Sequence, residues 1–595
     1  MEPLSGLDAT FLYMENATTY MHIGGVGVFE GSLAFENFRE LMASRIHLFP
    51  KLRQRLVEVP LSIDYPYWVD DPHFNLDMHL QHLALPKPGS WRELRALASS
   101  VFSKPLDRSR PLWEFIFVEG LDNVSQVPAG SVAVISKIHH SVIDGVAGAG
   151  LFSILFDFTP NPPKLDPPQP FDPKPLPSEL TLVRNSTMNF LSDPLKLPRL
   201  VTDAATATIK AGMLTRVQNV EPPTVPFTAP RTPLNGIISS QPKWNTAILS
   251  LDRVKKLKKV MGTTVNDVVL AICAGGLRRY LIEKNQLPNK PLVAMVPVSV
   301  RSNDENVKTG NQISNMLVQL ATNIEDPIER LEIIHENAMR SKMYQGALGA
   351  DTLSKVAEMV PFGLAHQAAR IYSRFELSKL HNPVYNVVIT NVPGPQFPMY
   401  MYGHKLLSYM GMGPVIDGMG MIITVLSYNG LITISPTSDS NSMPDIDLFS
   451  RYILEAANEL EELVLAVEEE RAGQEVEVTT AVSDALFEHV NQYFQDNPDF
   501  LRPDAGLFQF NIKNDAGKDI AHWILDCNTP PGSATKGKTD EADAVLNISD
   551  EHLMRIAKGE ISVQIAFVQG RLQFTGDMNK ALKLGAILGK IPPLE

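Results

Sequence analysis

The sequence predicts a mixed α/β fold: two similar large units in tandem, followed by a small α+β unit. Three observations carry this. Residues 1 to about 158 and 245 to about 470 both interleave β-branched apolar runs with helical apolar spacing. Two proline-dense stretches, 159–178 and 221–242, separate them as extended crossovers, because proline fixes φ and removes a donor. A charged break, Glu468 to Glu477, then isolates a last segment with several short strand-like runs.

In order along the chain, Val132 to Ile138 reads as a buried strand and Val146 to Phe156 as an apolar helix. A helical stretch follows from Leu180 to Val217. Thr264 with Asp267 forms a variant capping box, and Val265, Val268, Val269, Ile272, Leu277, Tyr280 and Leu281 behind it predict a helix burying one face. Leu292 to Val300 and Val384 to Thr390 are expected strands, and Leu448 to Glu470 an amphipathic helix. In the last segment the expected strands are Leu507 to Ile512, Ile520 to Leu525, Ala544 to Ile548 and Arg571 to Thr575. The resulting division is 1–180, 181–244 (helical and proline-rich linker), 245–470 and 478–595.

The chain of 595 residues is too long for one core and carries a net charge of -13, which disfavours nucleic acid as a partner. The cluster Arg253, Lys255, Lys256, Lys258 and Lys259 reads as a solvated helix face. Only two cysteines occur, Cys273 and Cys527, so a disulfide framework is not expected and a reducing compartment fits. No Cys/His spacing suggests zinc. The start, Met1-Glu2-Pro3-Leu4-Ser5, has no charged region leading into an apolar run, and no stretch of about 18 apolar residues occurs. The expectation is a cytoplasmic chain that meets any lipid peripherally, at a membrane or lipid inclusion.

The strongest chemical signal is His139-His140-Ser141-Val142-Ile143-Asp144-Gly145, where a strand gives way to a helix. Acyl transfer to an alcohol needs a base that takes the hydroxyl proton as the oxygen attacks a thioester carbonyl. Neutral imidazole suits this, and a positioned base contributes about 10²–10⁴-fold. The aspartate can orient the ring or brace its loop, and Gly145 permits the tight backbone. Neighbouring strand residues point apart, so the pair is a poor metal site.

Around these residues the first 470 positions resemble the bacterial wax ester synthase/acyl-CoA:diacylglycerol acyltransferase family. That family sits among the coenzyme A-dependent acyltransferases with chloramphenicol acetyltransferase, plant BAHD enzymes and peptide-synthetase condensation domains. The resemblance rests on Pro3-Leu4-Ser5-Gly6-Leu7-Asp8-Ala9-x-Phe11-Leu12, Met21-His22-Ile23-Gly24-Gly25, Pro111-Leu112-Trp113-Glu114, Asn266-Asp267-Val268-Val269-Leu270-Ala271, Pro297-Val298-Ser299-Val300-Arg301 and Asn391-Val392-Pro393-Gly394-Pro395. It implies two chloramphenicol-acetyltransferase-like lobes with a central tunnel, and His140 as general base supported by His139 and Gly145. It further implies Asp144 as a structural partner of Arg301, and Asn266 near the developing oxyanion. Trp113, Asn391, Pro393 and Gly394 are the expected substrate contacts. The implied substrates are fatty acyl-CoA and a long-chain alcohol or diacylglycerol; coenzyme A enters as a thioester substrate, and no cofactor or metal is expected.

The final segment resembles the sterol carrier protein type two domain, through Asn547-Ile548-Ser549-Asp550-Glu551, Leu553, Ala557-Lys558-Gly559, Gly570 to Met578, and Ala581-Leu582-Lys583-Leu584. This implies a lipid-binding carrier. Two other readings compete. A condensation-type acyltransferase on carrier-protein thioesters is disfavoured because no Asp-Ser-Leu-like carrier motif appears. A non-catalytic lipid-transfer protein is disfavoured by the intact His140, Asp144 and Asn266.

Overall fold

The computed structural model describes residues 1–60, 63–143, 155–162, 171–192, 224, 226–299, 313–348, 381–474, 483–501, 506–514, 519–539, 541–558 and 572–576, with 580, 584, 587 and 591. The chain forms two compact units, Met1–Val464 and Leu465–Glu595.

The first unit begins β1 (Glu2–Pro3), α1 (Gly6–Met14), β2 (His22–Phe29), α2 (Phe35–Arg45), β3 (Gln54–Val57), β4 (Tyr67–Asp70) and β5 (Leu80–Ala84). Next come α3 (Trp91–Phe102), β6 (Trp113–Leu121), β7 (Ser131–His139) and α4 (Glu179–Ser192). It continues with β8 (Pro242–Trp244), β9 (Ala247–Ser250), α5 (Leu251–Met261), α6 (Val265–Glu283), β10 (Val293–Ser299), β11 (Ile313–Gln319) and α7 (Pro327–Leu348). The remainder is β12 (Val387–Pro393), β13 (Tyr400–Met401), β14 (His404–Met412), β15 (Met421–Tyr428), β16 (Leu431–Asp439) and α8 (Ile446–Gln474), which runs on past Val464.

Two sheets organise this unit. The first has the order β13-β14-β2-β7-β6-β5, and the second runs β11-β10-β12-β15-β16-β8, with β9 also on β16. The sheets do not follow chain order: β14, late in the chain, pairs antiparallel with β2 and completes the first sheet. Tyr409 on β14 reaches past β2, its hydroxyl 2.9 Å from Ser136 Oγ on β7. Gly25 and Gly27 make room for its ring, since a Cβ at either would lie 3.0 or 3.3 Å from it. On the other side, Thr433 of β16 donates to the Tyr409 carbonyl at 3.1 Å. β14 therefore ties the two sheets together.

The expected elements form, with instructive shifts. β7 is buried at every position, as a mostly apolar central strand should be, and it buries Ser136, Lys137 and His139 along with its apolar residues. The α6 capping box forms in both directions: Thr264 N–H donates to Asp267 at 2.9 Å, and Asp267 N–H to Thr264 Oγ1 at 3.2 Å. This helix was expected to bury one face, but Asp267 through Leu277 are all buried. It lies in the middle of the second sheet's core, where each fully buried Val, Leu or Ile contributes about 1.5–3 kcal/mol. The strand expected over Val384 to Thr390 is β12, which runs later, to Pro393, in register with parallel β15. The charged break begins inside α8, because glutamates are good helix formers and continue it to Gln474. The basic cluster lies on α5, where Arg253 meets Glu461 and Lys255 lies 3.6 Å from Asp252. The helix expected over Val146 to Phe156 falls almost wholly outside the described residues.

The second unit holds α9 (Asp484–Asp496), β17 (Leu507–Lys513), β18 (Asp519–Asp526), β19 (Ser533–Lys536), β20 (Ala544–Ser549), α10 (Asp550–Ala557) and β21 (Leu572–Gly576). Its sheet runs β19-β18-β17-β20-β21, with β17 and β20 parallel. Phe508, Phe510 and Ile512 point one way into a core with Phe487 and Phe494 of α9. Gln509 and Asn511 alternate with them, and Asn511 donates to Asn547 at 3.0 Å. β19 was not expected; Ser-Ala-Thr-Lys is too short and polar to announce a strand, and pairing with β18 forms it.

Candidate active site

The site is built first from backbone. His139 ends β7, and its N–H donates to the Leu112 carbonyl at 2.9 Å; the next N–H, from His140, goes to the Met21 carbonyl at 2.8 Å. The segments quoted as Met21–Gly25 and Pro111–Glu114 are thus the strands flanking β7. His22 stands opposite His139 and Trp113 opposite Ile138.

The two rings are held differently. His139 is buried; its Nδ1 accepts from the Ser141 N–H at 3.1 Å and lies 2.6 Å from Ser141 Oγ. A ring nitrogen that accepts leaves the proton on Nε2, which faces Glu15 Oε1 at 3.3 Å. Glu15 caps the C-terminal end of α1 and is itself gripped, by the Met21 N–H at 2.9 Å and by Arg108 at 2.7 Å. Burial works to raise the Glu15 carboxyl, but His139, Arg108 and Met21 together pull it down to about 2, so it is a carboxylate at any working pH. Among the described residues no side chain bonds His140 in this way: its Nδ1 is enclosed, and its ring stacks on Phe11 at a centroid distance of 3.9 Å and 20°. Burial, aided by the charge of His139, pushes His140 down to about 4, against the pull of its own backbone carbonyl. It is therefore a neutral imidazole near pH 7, as a base must be.

Below them, Lys137 is wholly buried, with Nζ 2.7 Å from Glu114 Oε1. Burial pushes its ammonium down while Glu114 works to keep the charge. Beside Arg108 opens a cavity of about 310 Å³ whose lining includes Leu12, Arg55, Glu58, Arg108, Ser109 and Leu112.

A second cluster forms where the start of α6 meets the end of β12. Asn391 Nδ2 donates to Asn266 Oδ1 at 3.4 Å. Capping of α6 is done by Thr264 and Asp267, so Asn266 is not occupied as a cap. Asp267 is buried and also receives His335 Nδ1 at 2.7 Å. Past Asn391, Val392 and Pro393 are exposed, and Gly394 donates to the Ser427 carbonyl at 2.8 Å. A Cβ at Gly394 would lie 2.4 Å from that oxygen, which is why glycine stands there.

Trp113 was expected to touch substrate. It is packed in the core instead, with its indole N–H on the Leu52 carbonyl at 2.8 Å and its ring stacked on His79. Asp144, Gly145 and Arg301, with the expected Asp144–Arg301 pairing, lie outside the described residues. Among the described residues no hydrogen bond or ion pair joins the His140 cluster to the Asn266 cluster. Sequence reasoning missed Phe11, Glu15, Arg108, His22 and His335. Phe11 and His22 lie inside blocks of the family resemblance but were given no role; Glu15, Arg108 and His335 belong to no motif.

Residues 4–269 match the wax ester synthase/diacylglycerol acyltransferase catalytic domain, 309–461 the C-terminal domain of the same enzymes, and 487–589 the SCP-2 sterol transfer family. A Mycobacterium tuberculosis protein named as a diacylglycerol O-acyltransferase is 35% identical over 452 residues, 75% of this chain and 87% of that one. A Mycobacterium bovis protein so named is 31% identical over 465 residues, 77% and 98% of the two chains. The chain belongs to the wax ester synthase/diacylglycerol acyltransferase family. In solved form, the wax ester synthase/diacylglycerol acyltransferase from Marinobacter aquaeolei VT8 superposes with a TM-score of 0.55 at 26% identity, covering 78% of this chain and all of that one. As a member of the family this protein is an O-acyltransferase, and it carries a C-terminal SCP2 domain.

Proposed function

We propose that the enzyme esterifies a long-chain alcohol or diacylglycerol with fatty acyl-CoA, with His140 as general base. The observation that carries this is a neutral, partly buried imidazole just past the end of β7, its backbone fixed by Met21 and its neighbour His139 braced by Glu15 and Ser141. His140 takes the acceptor hydroxyl proton as the oxygen attacks the thioester carbonyl carbon. The tetrahedral intermediate then expels the thiolate, and the imidazolium returns the proton to sulfur. Asn266, its amide oxygen engaged by Asn391, has its NH₂ left to donate to the developing oxyanion. Asp144, Gly145 and Arg301 keep the supporting role that the motif implies for them. Pro393 and Gly394 lie beside the acyl-transfer centre.

Coenzyme A acts here as part of the substrate, and no separate cofactor enters the reading. The SCP2 domain binds lipid and supplies acyl chains. Among the described residues no single helix is long and apolar enough to cross a membrane. Contact with a membrane or lipid inclusion would be peripheral; the exposed pair Phe158 and Phe397, whose rings lie 5.6 Å apart, supports this mode.

The test is thiol release and product analysis with palmitoyl-CoA and parallel hexadecanol, diacylglycerol and sterol acceptors. His140→Ala is expected to lower turnover by about 10²–10⁴-fold without unfolding, and His139→Ala by less. Near-normal turnover by a folded His140→Ala enzyme would remove the base assignment.

A further inference from the structure

A general base is ordinarily oriented by a third group that hydrogen-bonds its far nitrogen. Among the described residues His140 shows no such side-chain group: Nδ1 is enclosed, and the only polar influence on the ring there is its own backbone carbonyl. The torsion that turns an imidazole about its ring axis is broad, so without a restraint the ring would sample many orientations. What the ring has instead is Phe11, face to face at 3.9 Å with 20° between planes.

Phe11 is not spent on the core. Leu4, Ala9, Leu12 and Tyr13, before and along α1, are buried in the first lobe's main apolar cluster, whereas Phe11 is only partly buried and stands outside it. The helix is rigidly started, with Ser5 accepting from the Asp8 N–H at 3.1 Å. One turn after Phe11, on the same face, comes Glu15, held by Arg108 and facing His139. A single short helix therefore holds both rings of the histidine pair, one by a flat contact and the other by charge.

We infer that Phe11 is the positioning residue of His140: its ring holds the imidazole plane by a flat contact and keeps water from one face of it. This rests on the reading of His140 as base. Among the described residues the titratable neighbours of His140 are His139 next in the chain and, beyond it, Glu15 and His22. Replacing Phe11 changes none of these charges, so any change in the titration of His140 reports the lost cover.

The experiment uses the full-length enzyme and the variants Phe11→Ala, Phe11→Leu and Phe11→Tyr. Removing the flat contact should lower kcat by roughly 3- to 10-fold in Phe11→Ala, with KM for acyl-CoA little changed. The acid limb of the kcat/KM profile should move up toward the ordinary imidazole value of about 6.5. Phe11→Leu keeps bulk but no flat face and should show an intermediate loss, which keeps the test open should Phe11→Ala fold poorly. Phe11→Tyr should restore both kcat and the acid limb.

A direct second readout is the rate at which diethyl pyrocarbonate modifies His140 as pH is varied, followed by mass spectrometry of the His139–His140 peptide. Displacement of both the acid limb and the modification profile supports the inference. An equal loss of activity at every pH with both unmoved would show a merely structural residue and overturn it. So would a raised KM with unchanged kcat, which marks a substrate contact. If the modification profile moves while the turnover of Phe11→Ala and of His140→Ala stays normal, the base assignment falls and the role of Phe11 falls with it, although the contact stands.

Discussion

The histidine end of the first sheet and the asparagine end of the second make an unequal pair. At the first, two adjacent rings are fixed by groups far away in sequence: Phe11, Glu15, Met21 and Arg108. At the second, the start of α6 organises itself through a capping box, and one distant amide, Asn391, meets Asn266. The difference teaches that a proton-transfer group is built by burial and neighbouring charge, whereas a donor of fixed polarity can be set by local helix geometry. On this view the first end governs how the enzyme responds to pH, and the second governs how strongly it stabilises the oxyanion.

The sharpest way to break the contrast is Asn266→Ala. Loss of one oxyanion donor is expected to lower kcat by about 10²–10³-fold, with KM for acyl-CoA within about two-fold of the parent and the pH profile unshifted. A variant with unchanged kcat would take Asn266 out of the site. Glu15→Gln comes next. It keeps the shape but removes the charge facing His139 and leaves Glu58, at 3.7 Å, as the nearby counter-charge of Arg108 beside its bond to the Leu12 carbonyl. Roughly ten-fold lower turnover and about 1–3 kcal/mol lower stability are expected, read by kinetics and thermal melting. A gain in thermal stability would mean that the buried carboxylate is not a brace.

The pH response sharpens the comparison further. His140 and His22 are both held below the ordinary imidazole value, mainly by burial, so the unfolded chain binds protons more readily than the folded one. The stability they contribute is complete above about pH 6.5 and is lost as pH falls below it; for His140 the loss runs toward about pH 4 and amounts to on the order of 2–3 kcal/mol. Tm should fall across that window and fall less in His140→Ala; a melting temperature flat from pH 7 to 4.5 would contradict the buried-neutral state. The smallest effect concerns the SCP2 domain. An enzyme shortened after Gln474, where α8 ends, should retain activity on short acyl-CoA and lose a few-fold on long chains, because a tethered carrier raises local substrate to about the mM range. Uniform loss across a chain-length series would mean that the domain acts only as a prop.

The sequence made the regular elements and the motif histidines legible because their signals are local. The β-branched run ending at His139, the Thr264–Asp267 box and the alternating strands of the SCP2 unit each occupy a few neighbouring positions. What it hid is non-local. Nothing near Glu15 indicates that its carboxylate faces His139, and nothing near His404 to Met412 indicates a strand that joins the first sheet. Trp113 misled for the opposite reason. Its motif is real, but it holds β6 beside β7 and delivers the Leu112 carbonyl to His139, while the indole packs inward.

The late strand β14 also has a consequence for biosynthesis. Until residues 404 to 412 leave the ribosome, β2 has no neighbour on that side, and the strand next to the histidine motif is an open edge. Vectorial folding of the first lobe must therefore wait for most of the second to be translated, and nascent chains stalled before Met412 would expose a ready template for intermolecular pairing. A chaperone that captures such edges would act on this enzyme during translation, and splitting it into separately expressed halves would reproduce the same hazard.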